Sequence, residues 1–205
     1  MFTRKRNGAT IDLKWDKIEH RLKKSLDEER YRHTLGVAET AEKMAETFGE
    51  DTEKARLAGL LHDCAKCMSL DEMISIVGDR IDDPLIKASK ALMHAAAGMY
   101  VAKEEYHIDD PDVLGAIRWH TTGRANMTNL EKIVYLADMI EPNRRYFPGL
   151  DALRRLSYSD LDKAMQLGLT MSLQHVGAQG KIVHPDTRAA LQDYSDKPNK
   201  MMEES

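Results

Sequence analysis

Apolar residues recur along this chain at three- and four-residue spacing almost from end to end, the pattern of amphipathic helices packed on a common core. Trp15, Ile18, Leu22 and Leu26 form a first stripe, and His33, Val37, Ala41, Met44 and Phe48 a second that Gly49 ends. Asp51 caps a third helix carrying Ala55, Ala58, Leu61 and His62. Ser69-Leu-Asp-Glu72 is a capping box for a fourth, with Leu70, Met73, Ile74 and Val77. Asp83-Pro84 reads as an N-cap followed by proline at the first helical position. Between Leu85 and Tyr106 the stripe changes phase. Leu85, Ala88 and Leu92 share one face, while His94, Ala97, Gly98, Val101 and Ala102 share another, so a break is predicted just before His94.

Asp110-Pro111 opens a helix with Val113, Ala116, Ile117 and His120 at i, i+3, i+4 and i+7. Residues 121–124 form a loop by their glycine, and Thr128-Asn-Leu-Glu131 is a second capping box. The helix it starts carries Leu130, Ile133, Val134, Ala137 and Asp138 on one side and ends at Pro142. Residues 143–151 read as a loop, and Ser159 as the cap of a long helix with Leu161, Ala164, Met165, Gly168 and Met171 that stops near Gly177. Residues 181–187 read as a turn with room for one short extended piece, before a last helix from Thr187 and a frayed tail from Lys197. No alternating strand, repeat or low-complexity linker interrupts this, so the fold class is all-α, a single helical bundle.

Length and composition narrow the chemistry. A chain of 205 residues can bury one sizeable core. A net charge of −4 gives no positive field for nucleic acid or anionic membrane. No run of 18 apolar residues exists to span a bilayer, and the basic start MFTRKRNGAT has no apolar stretch behind it to make a secretory signal. Cys64 and Cys67 are no disulfide framework, which fits a reducing cytoplasm. Cys64-Ala-Lys-Cys67 also lacks the strand-turn-helix of a redox motif and the second pair of a zinc site, and reads as plain thiols.

Five polar residues stand out because each lies at the end of, or in register with, an apolar stripe: His33, the pair His62-Asp63, His120 and Asp138, with His94 beside them on its own stripe. An unpaired polar side chain in such a place is costly, and a shared metal would remove the cost. A lone histidine on an apolar face is more often a satisfied core residue. His62-Asp63 differs, because adjacent helical residues point about 100° apart and can share an ion only at a helix end or in a cleft. His33 and Asp138 would then come from other helices, as in metal sites built inside bundles. Imidazole with carboxylate suits iron, manganese, zinc or cobalt, and Asp63 is the natural bridge if there are two ions. Lys66, one turn beyond His62, is either a solvated lysine or a cation that holds phosphate. Arg144 and Arg145 are either phosphate-binding forks or an exposed basic loop. Thr121, Thr122 and Gly123 could offer a hydroxyl and backbone N–H to a phosphate. His20 and His107 read as surface residues, His175 as structural, and His184 as a candidate substrate contact.

The order His33, His62-Asp63, Asp138 resembles the ligands of HD-domain metal-dependent phosphohydrolases. HTLGVAETA at 33–41, AGLLHDCAK at 58–66, HTTG at 120–123, YLADMIEPNR at 135–144, FPGLDALR at 147–154 and IVHPDT at 182–187 resemble one branch, the YqeK family of symmetrical dinucleoside tetraphosphate hydrolases. The blocks cover about residues 30–192, with Met93-His94-Ala95 in place of the family's Leu-His-Gly. The resemblance implies an HD-domain helical bundle over 30–192, after a helical extension at 1–29 and before a tail at 193–205. It implies iron held by His33, His62, Asp63 and Asp138, and diadenosine tetraphosphate cut to two ADP. It implies catalytic roles for Asp63, Lys66, His94 and His120. Substrate contacts would come from Arg30, His33, Lys66, His94, His120, Thr121, Gly123, Asp138, Arg144, Lys181, Ile182 and His184. His94 and His120 either bind a second ion or contact phosphate around one. A homodimer is compatible with a helical domain of this size. Three rivals stay open: an HD hydrolase or phosphodiesterase for another nucleotide, a nucleotide-sensing metalloprotein, and a helical interaction module.

Overall fold

The computed structural model describes residues 5–6, 9–10 and 15–195. Its α-helices are α1 (Trp15–Ser25), α2 (Glu28–Phe48), α3 (Thr52–Leu61), α4 (Leu70–Val77), α5 (Pro84–Lys87), α6 (Lys90–Glu105), α7 (Pro111–Trp119), α8 (Asn129–Ile140), α9 (Leu150–Ser157), α10 (Leu161–Ala178) and α11 (Pro185–Ser195). A 3₁₀ turn covers Gly78–Arg80, and β1 (Lys5–Arg6) pairs antiparallel with β2 (Ala9–Thr10) in a two-residue ladder that the apolar pattern did not signal.

Local sequence sets most boundaries. Both capping boxes form: Ser69 Oγ accepts from the Glu72 N–H while Glu72 Oε2 accepts from the Ser69 N–H, and Thr128 and Glu131 do the same for α8. Asp27, Asp51, Asp83 and Asp110 cap α2, α3, α5 and α7, and Gly49 closes α2 in the left-handed conformation at φ 70°. Four expectations shift. The break expected before His94 falls earlier, at Ala88–Ser89, so that His94 lies in the second turn of α6. The loop read over 143–151 gives way to α9 at Leu150, started by Gly149 at φ 91°. The cap of α10 is Asp160, whose side chain accepts from the Lys163 N–H; Ser159 instead donates its hydroxyl back to Arg155 O. The last helix begins at Pro185, two residues before the Thr187 read from sequence. The tail read as frayed lies outside the described residues.

The centre of the bundle is α2, α3, α7 and α8. α2 runs along α3 and α8, α7 packs on α3, α6 and α8, and α10 ties α8 to α9 and α11. From Leu57 onward α3 is apolar or small on every side, with Leu57, Ala58, Gly59, Leu60 and Leu61 all buried, as a helix segment enclosed by others must be. α1 belongs to this same core through Ile18, Leu22 and Leu26. The close approach of α2 to α3 depends on Gly59, where a Cβ would lie 2.8 Å from the Ala38 Cα. Among the described residues no helix is long and apolar enough to cross a membrane.

Candidate metal centre and active site

The ends of α3 and α7 converge, and each carries a histidine as its C-cap: His62 and His120. The last carbonyls of a helix lack intrahelical partners. Here each histidine uses one: Nδ1–H of His62 donates to Gly59 O at 2.7 Å, and Nδ1–H of His120 to Ile117 O at 2.7 Å. A carbonyl can only accept, so the proton is on Nδ1 and Nε2 presents its lone pair to the cleft. His33, in the second turn of α2, faces the same cleft with Nε2 2.9 Å from Asp138 Oδ1 in the last turn of α8. His62 Nε2 lies 3.5 Å from Asp63 Oδ2 and 3.9 Å from Asp138 Oδ1.

Two overlapping sets of ligand atoms result, His33 with His62 and Asp138, and His62 with Asp63 and His120, each spanning at most 4.8 Å. Ligands about 2.1 Å from an ion are separated by up to about 4.2 Å, so small inward shifts complete either set. His33 Nε2, His62 Nε2 and Asp63 Oδ1 are buried without a hydrogen-bond partner, a condition that costs on the order of 1–3 kcal/mol per group and that an ion removes. Both carboxylates are held in the form a metal needs. Burial would raise Asp63, but the neighbouring imidazoles of His62, His120 and His94 outweigh it and hold it well below the usual carboxylate range. Burial would also raise Asp138, and His33, His62 and Arg144 outweigh it. The nitrogen-and-carboxylate donor set fits a first-row divalent cation.

Cations and donors surround these ligands. Arg30 Nη1 donates to Asp63 Oδ2 at 2.8 Å, Lys66 Nζ sits 3.5 Å from Asp63 Oδ1, and Arg144 Nη1 is 3.7 Å from Asp138 Oδ1. His94 Nε2 is crowded by Lys66 Nζ at 3.1 Å, His120 Nε2 at 3.0 Å, Asp63 Oδ1 at 3.0 Å and Thr121 Oγ1 at 3.4 Å. A lysine can only donate and a carboxylate can only accept, so no single protonation of His94 satisfies both. Its Nδ1, unlike those of His62 and His120, has no acceptor behind it. Burial pushes His120 down to about 4, so this ring is neutral at pH 7.

The HD domain family matches residues 30–143. The chain belongs to the HD-domain family. Within it, a symmetrical bis(5'-nucleosyl)-tetraphosphatase from Halalkalibacterium halodurans is 42% identical over 169 residues, 82% of this chain and 90% of that protein. The protein of the same description from Bacillus subtilis is 41% identical over 167 residues, 81% of this chain and 89% of its own length. The crystal structure of a predicted HD superfamily hydrolase involved in NAD metabolism from Clostridium acetobutylicum superposes with a TM-score of 0.85 at 42% identity, covering 89% of this chain and 97% of that one. The family resemblance read from the motif blocks is therefore borne out, as is the all-helical HD fold.

This HD domain gathers His33, His62, Asp63, His94, His120, Asp138, Lys66, Arg30, Arg144 and Thr121 around one cleft. Of the four other sequence candidates, two are engaged within the fold and two are exposed. The Gly123 N–H, expected to face phosphate, donates to Trp119 O at 2.9 Å, because the residue closes α7 in the left-handed conformation at φ 64°. His184 is buried between Asp83 Oδ2 at 3.1 Å and the Asp186 N–H at 3.2 Å. Lys181 and Ile182 are exposed, Ile182 by 75%, and the Lys181 N–H donates to Val176 O at 3.2 Å. Of the thiols, Cys64 is buried and Cys67 exposed, and both are free. Glu141, buried against His33, was missed, although its place three residues after Asp138 on the same helix face was a usable signal. The metal reading predicts a stability effect. A cation at about a thousandfold over its dissociation constant should add about 4 kcal/mol to unfolding. Thermal midpoints compared with Co²⁺ and with excess chelator measure it; equal midpoints would exclude the centre.

Proposed function

We propose that the protein hydrolyses diadenosine tetraphosphate at the middle of its phosphate chain to two ADP, in the cytoplasm, using iron held by His33, His62, Asp63 and Asp138 within residues 30–192. The observation that carries this is the set of orphaned ligand atoms of His33, His62 and Asp63 with Lys66, Arg144 and Arg30 beside them. A closed structural site would fill its ligand positions and need no flanking cations. The names of relatives about 41% identical over most of the chain supply the substrate.

A bound divalent cation supplies a Lewis acid for a phosphoryl oxygen and lowers the pKa of water to about 7. The chain's own groups do the rest. Lys66 and Arg144 donate to phosphate oxygens on either side of the attacked phosphorus and offset charge on the departing ADP. Asp63, whose buried Oδ1 lies among His94, Lys66 and His120, orients the attacking water and takes its proton. The new P–O bond forms to one central phosphorus, and the bridging oxygen leaves with the second ADP. His94, which no acceptor orients, is assigned to phosphate together with Thr121, and His120 turns its Nε2 lone pair to the same cleft.

Anaerobically purified, iron-loaded protein incubated with the tetraphosphate, with products separated by ion exchange, tests the proposal. ADP as sole product is expected. AMP with ATP would overturn the cleavage position, and no cleavage with iron bound would overturn the substrate. Arg144→Ala should cost about 10- to 100-fold in kcat/KM, the worth of a hydrogen bond to a charged group, with the metal content unchanged. Loss of metal from that variant would show that Arg144 supports the centre instead of the substrate.

A further inference from the structure

His33 differs from His62 and His120 in one physical respect. Those two lie at helix ends, where a free carbonyl of their own helix fixes the ring. His33 lies inside α2, where the carbonyls are committed to the helix, so its orienting acceptor must come from another element. That acceptor is Glu141, the C-cap of α8, 1% exposed. Its two oxygens have separate partners: Oε1 is 3.1 Å from His33 Nδ1, and Oε2 accepts the Asn143 N–H at 2.6 Å. Its backbone carbonyl accepts the Arg144 N–H at 3.0 Å and Arg154 Nη2 at 3.1 Å. Gly36, one turn beyond His33, leaves the carboxylate its space, since a Cβ there would lie 2.5 Å from Oε2.

We infer that Glu141 is a positioning residue with two coupled tasks: it holds His33 with Nδ1–H turned outward and Nε2 toward the metal, and it anchors the turn that aims Arg144 at phosphate. The inference deepens the proposed function and rests on its metal centre. Second-sphere carboxylates of this kind fix the tautomer and ring orientation of a metal-binding histidine. The requirement here is stricter than shape. Both partners, His33 Nδ1–H and the Asn143 N–H, are donors, so the side chain must offer two acceptors. A glutamine matches the shape but has one acceptor oxygen and one NH₂. Whichever way it turns, one donor faces another donor.

Glu141→Gln therefore separates this role from mere packing. Co²⁺ is titrated into metal-free wild-type and variant protein, followed by the visible absorption of the bound ion, and KM for the tetraphosphate is measured at saturating Co²⁺. Expected are 10- to 100-fold weaker Co²⁺ binding, the range for lost second-sphere partners, and a raised KM once the metal site is filled. Unchanged Co²⁺ affinity overturns the inference, and weakened affinity with unchanged KM overturns its Arg144 half. A wild type that binds no Co²⁺ overturns the metal centre itself, and this is read before any variant. Nitrogen-15 spectra of the zinc-loaded wild type add a measurement that needs no variant to fold. The His33 Nδ1–H proton should exchange slowly with solvent, and fast exchange would overturn the hydrogen bond to Glu141.

Discussion

Asp63→Ala is expected to lower turnover of the tetraphosphate by at least about three orders of magnitude, the upper part of the range for losing a positioned acid–base group, because the residue serves both as ligand and as proton acceptor. No other side chain in the cleft has as many partners. Oδ2 faces Arg30 and His62, while Oδ1 faces His94, Lys66 and His120. Removing it leaves three imidazoles and two cations without the charge that gathers them. The fold should survive, since Arg30 and Lys66 are each about a third exposed and can turn to water. Circular dichroism and metal analysis accompany the rate measurement. Asp63→Asn keeps one acceptor oxygen and the shape, so it should retain more metal than alanine yet stay nearly inactive. Full turnover by either variant with its metal content intact would remove Asp63 from the mechanism.

Much of this site was legible because its parts are local. A histidine in register with an apolar stripe, a capping box and a proline in a first turn are each written within four or five residues, and the helices form where these signals stand. His33, His62, Asp63 and Asp138 were readable for the same reason, as polar residues on faces that had to be buried. What escaped depends on contacts across the fold. Glu141 acts on a residue 108 positions away: its place three residues after Asp138 put it on the right face, but only the packing of α8 on α2 names His33 as its partner. Gly123 reads as a phosphate-binding turn in isolation, but the end of α7 takes its N–H. His184 looked free before a proline, yet the fold brings it to Asp83, 101 positions earlier in the chain. α9 was hidden by Pro148 and Gly149, which mark a turn without telling that Leu150, Leu153 and Leu156 behind them have a core to meet.

Substituting Gly59 should damage stability and site together, in proportion to the size of the new side chain. In a solvated helix, glycine to alanine gains about 1 kcal/mol. Here the sign should reverse. A Cβ on Gly59 would sit 2.8 Å from Ala38 Cα, 3.1 Å from Ala38 N and 3.2 Å from Val37 C, all backbone atoms that cannot rotate away. α2 and α3 would have to separate by several tenths of an ångström, and overpacking of this kind costs about 1–3 kcal/mol, occasionally more. Gly59→Ala is expected to be destabilising by about 1 kcal/mol after the propensity gain, and Gly59→Val by about 3 kcal/mol. The same displacement acts on the metal centre, because His33 lies one turn before Val37 and Ala38 on α2, and His62 takes its orientation from the Gly59 carbonyl. Metal affinity should therefore fall from glycine to alanine to valine along with stability. Denaturant unfolding of the metal-free proteins and Co²⁺ titration of the folded ones measure the two effects separately. If Gly59→Ala instead gained stability and kept its affinity, the two helices would have room that the structure denies them, and the close packing of α2 on α3 would not be what sets the distance between His33 and His62.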